Sequence, residues 1–141
     1  MDKAKIQHAI SIGAGVDRVF EAITTKSGLS GWNTANVEGD GKVGSEWTLH
    51  YSGRPEFVWR VDKSGDRTVS WTCMRGPGDS VGTVAQYVLE PLHDGRTRVS
   101  FTHDGWPGTH GNFIKCNTLW GGLLHHLKDF VESGQATPAH S

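Results

Sequence analysis

The 141-residue sequence has no excess of either charge, only two cysteines and no long apolar run. Lys and Arg number 14 against 15 Asp and Glu, so no net field is available to steer nucleic acid or an anionic membrane surface. No segment approaches the roughly 18 consecutive apolar residues of a membrane-spanning helix. The start, MDKAKIQHAISIG, is charged and then alternating, unlike a secretory signal. A soluble cytoplasmic protein is expected, with neither nucleic acid as partner nor membrane insertion. Cys73 and Cys116 are far apart and form no CxxC, which suits structural thiols in a reducing compartment. No GxSxG, P-loop or GxGxxG context is present.

Glycine is abundant instead, at 19 residues, about twice its common share. Many tight turns between short strands follow from that. Six tryptophans and five phenylalanines supply the bulk of a core modest in aliphatics.

In KIQHAISI, Ile6, Ile10 and Ile12 share one parity with His8, the mark of a half-buried strand. GVDRVFEAITT then spaces Val16, Val19, Phe20 and Ile23 for a helix, with Asp17 suited to its first turn. KSGLSGWNT reads as a second, very short helix or turn. About five strands follow, separated by Gly, Pro and Asp turns, as an antiparallel meander. Their shared parities are Trp47, Leu49 and Tyr51; Phe57, Trp59 and Val61; Val69, Trp71 and Cys73; then Val99, Phe101 and His103. Between the last two sets, VGTVAQYVLEPL is a longer strand stopped by Pro91.

NFIKCNTLWGGLLHHLKDFVESG repeats apolar residues at three- and four-residue steps. It predicts a helix of about six turns, with Asn112 as N-cap and Gly134 as its stop. The whole reads as an α+β fold in β-α-α-β5-α order: a curved antiparallel sheet of about six strands wrapped on a long C-terminal helix. One domain is expected over residues 1–134, with a polar tail at 135–141. One helix cannot seal a strongly curved sheet, so an apolar cavity is expected between them.

Four stretches carry a likeness to known proteins: VDRVFEAITT with GLSGW, VSWTCMRGPGDSVGT, VSFTHDGW, and LWGGLLHHLKDFVESG. Together they resemble the START/Bet v 1-like (SRPBCC, helix-grip) superfamily, and within it the bacterial branch named after the activator of the Hsp90 ATPase. The W-x-C-x-x-G-P and T-H-x-G-W runs are the most specific pieces. The resemblance implies a helix-grip fold and intracellular binding of a small hydrophobic molecule, lipid-like, aromatic or polycyclic. It also admits cyclase- or dehydratase-like acid/base chemistry without a cofactor on the same cavity. A co-chaperone-like interaction domain is suggested by the family name alone. Ser80 stands where relatives often carry Trp, so a relative's pocket shape does not transfer.

Large rings on opposed surfaces are either a filled core or a cavity lining. The fold favours a lining of Trp59, Trp71, Phe101, His103, Trp106, Phe113 and Trp120. Cys73, Tyr87 and Asn117 are its candidate polar contacts. His103 sits on the inward parity at a strand end, as a ligand contact or as a histidine bonded to a nearby loop. Asp104 should face the other way, which weakens a His103–Asp104 catalytic pair, and no catalytic residue is assigned. His103, His110, Cys116 and His125 or His126 match no common zinc spacing, so neither metal nor cofactor is expected. A homodimer through an edge strand stays open.

Overall fold

A computed structural model describes residues 3–140. β1 (Ala4–Ile12) leads through two helices, α1 (Val16–Thr24) and α2 (Lys26–Trp32), into the remaining strands. These are β2 (Asn36–Glu38), β3 (Glu46–His50), β4 (Phe57–Gly65), β5 (Thr68–Arg75), β6 (Val84–Pro91) and β7 (Thr97–Trp106). The chain then enters the long helix α3 (Asn112–Ser133). All strands are antiparallel in one sheet of order β1-β7-β6-β5-β4-β3-β2.

This is the helix-grip arrangement in the α+β class, with one strand more than expected. The extra strand is β2, and its three residues are too few to show a period. Only Val37, its middle residue, is buried.

Local chemistry explains the helical segment. Thr25 caps α2 by accepting from the Gly28 amide at 3.0 Å. Trp32 Nε1 donates back to Ala22 O at 2.8 Å and ties α2 onto α1. Gly28 is required by that close approach, since a Cβ there would lie 2.5 Å from Ala22 O.

β6 starts at Val84 and β3 ends at His50, each inside the span read from the sequence, and two further boundaries differ for a physical reason. Asn112 is not the N-cap of α3; Gly111 holds that position at φ +62° with no side-chain cap. Asn112 is the first helical residue, and its amide donates to Pro77 O at 3.2 Å and Asp79 Oδ1 at 3.0 Å. The side chain therefore pins the helix start to the 3₁₀ turn Gly78–Ser80. Gly134 does stop the helix, at φ +76° with its N–H on Phe130 O.

The second boundary is the end of β7, which does not stop near His103 but runs to Trp106. Strict alternation would turn Trp106 outward. The register against β1 slips between Ala4 and Lys5, which pair with Trp106 and Asp104, and Gly105 at φ +95° is the extra residue. That bulge resets the parity and sends Trp106 fully inward.

The residues expected as a polar tail lie along α2. Thr137, Ala139 and His140 donate backbone N–H groups to Gly31, Trp32 and Asn33 carbonyls, respectively.

Candidate functional site

The inward parities of β4 to β7 meet α3 in one aromatic cluster. Trp59, Trp71, Cys73, Tyr87, Phe101, His103, Trp106 and Trp120 are all buried there, none more than 4% exposed. The rings pack edge-on or tilted: Phe101 to Trp120 at 4.1 Å between centroids, Tyr87 to Phe101 at 5.0 Å, and Trp71 to Tyr87 at 5.2 Å. Phe113 is half-buried at the cluster's edge, 6.1 Å from Trp106. Asn117 lies elsewhere: it is exposed, and its Oδ1 is 3.0 Å from His8 Nε2 on β1.

The space left between sheet and helix is small. The inner chamber bounded by Leu49, Trp59, His103, Trp120 and Leu123 holds about 10 Å³, scarcely enough for one water. The rings fill the space where a deep cavity was expected. Trp71 Nε1, Tyr87 OH and Trp106 Nε1 are buried in this cluster without a hydrogen-bond partner among the described residues.

His103 is fully engaged. Trp120 Nε1 donates to its Nδ1 at 3.0 Å. Its Nε2 lies 2.7 Å from Thr83 Oγ1, and the Thr83 hydroxyl spends its own proton on Ser80 O at 2.5 Å. His103 is therefore the Nε2–H tautomer, donating to Thr83 and accepting from Trp120. Burial pushes its pKa down to about 4, with Asp104 opposing weakly. Asp104 is exposed, on the opposite face, and His110 is exposed as well. Neither ring nitrogen is free to move a proton, so the geometry describes an internal clamp joining β7, α3 and the loop before β6. Burial also pushes both Cys73 and Cys116 up to about 11, which keeps the thiols protonated.

The larger space is at the mouth. A groove of about 720 Å³ runs between the loop after β3, the first half of α3 and the C-terminal segment. Tyr51, Phe57, Cys116 and Leu119 line both this groove and the inner chamber. An aromatic path connects the two: the His140 ring meets Tyr51 edge-on at 4.8 Å, Tyr51 meets Phe57 at 6.1 Å, and Phe57 stacks on Trp59 at 5.7 Å. Tyr51 OH donates to Asn33 Oδ1 at 2.9 Å, while the buried Asn33 Nδ2 has no partner among the described residues. A similar volume near the start of α1 lies outside the grip, and its wall includes the charged residues Asp66, Arg67 and Arg96. It does not reach the aromatic interior.

The groove residues were absent from the sequence reading as site candidates. Tyr51 and Phe57 do carry a signal, because each shares its strand's inward parity. Arg54 and His140 lie in irregular segments, where no period exists to find them.

Three comparisons bear on this geometry. A family model described as Activator of Hsp90 ATPase homolog 1-like protein matches residues 14–132. Among curated proteins none matches the chain. Solved structures include the Aha1 dimer from Colwellia psychrerythraea, 34% identical over 93% of this chain and 98% of that one, with a TM-score of 0.84. A Bacillus halodurans protein is 20% identical over 94% of this chain and 100% of its own, at a TM-score of 0.75. DynU16, from the dynemicin biosynthetic locus, is 19% identical over 94% of this chain and 48% of its own, at 0.76. The last two likenesses concern the fold.

Proposed function

Because the chain belongs to the Activator of Hsp90 ATPase homolog 1-like family, we propose that it is a binding protein for a small hydrophobic molecule held in the groove at the mouth of the grip. The observation that carries this reading is the groove itself. Its volume of about 720 Å³ lies within the roughly 300–1,000 Å³ span of small-molecule sites. Tyr51, Pro55, Phe57, Ile114 and Leu119 give it an apolar wall, and the hydrophobic effect on burying a ligand there supplies the affinity. The eight buried residues of the aromatic cluster then act as a rigid floor, with Phe113 at their edge. The two unbridged cysteines suit a cytoplasmic setting.

Ile114 provides the test, because it is 57% exposed on the groove wall and contributes little to the fold. N-phenyl-1-naphthylamine, a neutral apolar fluorophore, should brighten on titration with the protein. Ile114→Asp should weaken that binding about tenfold, the loss of roughly one apolar side-chain contact. No brightening, or an unchanged affinity in the variant, would sink the groove reading.

An acid/base enzyme on the same scaffold has less support, since His103 has both nitrogens bonded. A homodimer is favoured by the Colwellia psychrerythraea relative, which is a dimer. Sedimentation equilibrium at micromolar concentration should then give twice the 15.4 kDa chain mass. A monomer mass across that range would overturn the dimer.

A further inference from the structure

The groove has a charge pattern that the hydrophobic reading does not require. Arg54 and Lys115 line it, and both also line an adjoining groove of about 350 Å³ that extends to Gly122 and His126. The two spaces share Arg54, Lys115, Thr118, Leu119 and His140. Among the described residues, no Asp or Glu lines either one. Neither cationic side chain makes an ion pair or hydrogen bond among the described residues, a state they share with Lys5, Lys26, Lys42, Lys63 and Arg67, whereas Arg60, Arg75, Arg96, Arg98 and Lys128 have carboxylate partners. In a chain of net charge −1, two cations lining a groove whose nearest carboxylate among the described lining contacts is Asp79, bonded to Asn112, are a local excess.

Two unpartnered polar groups lie beside this space, one at the groove wall and one in the inner chamber. His140 Nε2 is buried with no partner among the described residues, at the groove wall. The imidazole is kept neutral first by burial and then by the nearby Arg54 charge. Asn33 is fully buried, and its unpartnered Nδ2 lies at the inner end beside Tyr51. Unpaired buried donors carry a desolvation cost that a ligand acceptor removes.

We propose that the ligand is an amphipathic anion: an apolar chain or ring system lying against Tyr51, Phe57 and Leu119, with a carboxylate-type head between Arg54 and Lys115. This rests on the groove reading above and adds the chemical class. The cations stand at the entrance, where a head group keeps part of its hydration and a charge-assisted bond still discriminates. His140 adds an imidazole beside them, its Nε2 without a partner among the described residues.

Decanoate and 1-decanol separate the two claims, because they share a chain and differ in the head. By isothermal titration at low salt, decanoate should bind at least tenfold more tightly than decanol. In the double variant Arg54→Gln/Lys115→Gln that ratio should fall to within twofold of unity. Lys63→Gln, a charge change on the far end of β4, should keep the preference. Equal binding of the two ligands to the unaltered protein, or a preference surviving in the double variant, overturns the anionic assignment alone. Binding of neither overturns the groove reading with it.

Discussion

On acidification from neutral pH, the protein is expected to lose about 3 kcal/mol of stability through His103 alone. The folded-state pKa is about 4 against an ordinary 6.5. A histidine held neutral in the fold takes up its proton more readily once unfolded. Stability from this group is therefore complete above 6.5 and falls as pH drops through the window toward 4. Each pH unit within it is worth about 1.4 kcal/mol, and the residue's full burial leaves little solvent to screen the effect. No carboxylate faces the ring from the packed elements except through Asp104, whose influence is weak and of opposite sign. Cys73, Cys116 and Tyr87, in or beside the cluster, titrate far above the window.

His103→Asn isolates the term. Asn keeps a carbonyl oxygen near the Nδ1 position, where it can accept from Trp120, and it does not titrate. The variant should be less stable near neutrality because Thr83 loses its donor. Urea-derived stabilities of the two proteins should converge by about 3 kcal/mol between pH 6.5 and 4. Parallel curves would mean that His103 takes up its proton as readily in the fold as in the unfolded chain, contrary to the tautomer its partners impose.

What the sequence could reveal about this region was direction. Alternation in SFTHD places Phe101 and His103 inward and Asp104 outward, and the structure agrees. Alternation could not reveal the bulge at Gly105, because a glycine inside a strand gives no sign of which register survives. Trp106 as a lining residue follows from the expected fold and not from alternation, and the physical cause of its inward position is that bulge. The partner of His103 was equally hidden: Thr83 is 20 residues away and was read only as part of a strand. The His103–Trp120 bond spans two elements whose faces are periodic but whose relative height is not.

Volume was the harder quantity. Parity tells which rings oppose one another for Trp59, Trp71 and Phe101, and it misses Trp106, which the bulge turns inward. Whether opposed rings leave a void depends on how closely α3 approaches the sheet, a distance that no local pattern encodes. Small residues decide it. Ala85 sits opposite His103 in the β6–β7 register, a small side chain beside the imidazole. The larger space lies outward, in a groove whose wall includes loop residues. Helix-grip architecture was therefore legible, and the position of its usable cavity was not.

Trp120→Ala tests that shift directly. Trp120 is 4% exposed and packs against Trp59, Tyr87, Phe101 and His103. Its removal should cost about 3–5 kcal/mol, the usual price of an aromatic truncation in a filled core. The loss includes the unmet acceptor at His103 Nδ1. A filled interior has a further consequence that a ligand cavity lacks. The truncation opens an apolar void where the present chamber measures about 10 Å³, and such a void takes up small aromatic molecules. Indole should then raise the variant's melting temperature in proportion to the logarithm of its concentration once it exceeds the dissociation constant. With the groove weakened by Ile114→Asp, it should leave the protein that keeps Trp120 unmoved. If indole stabilises that protein to the same extent, the interior already yields space, and the ligand belongs deep between sheet and helix. If the variant loses less than about 1 kcal/mol, the rings are a loose lining. The expected pair of results, a large loss and a rescue confined to the variant, assigns the aromatic cluster to the core and leaves the mouth as the place where a ligand is held.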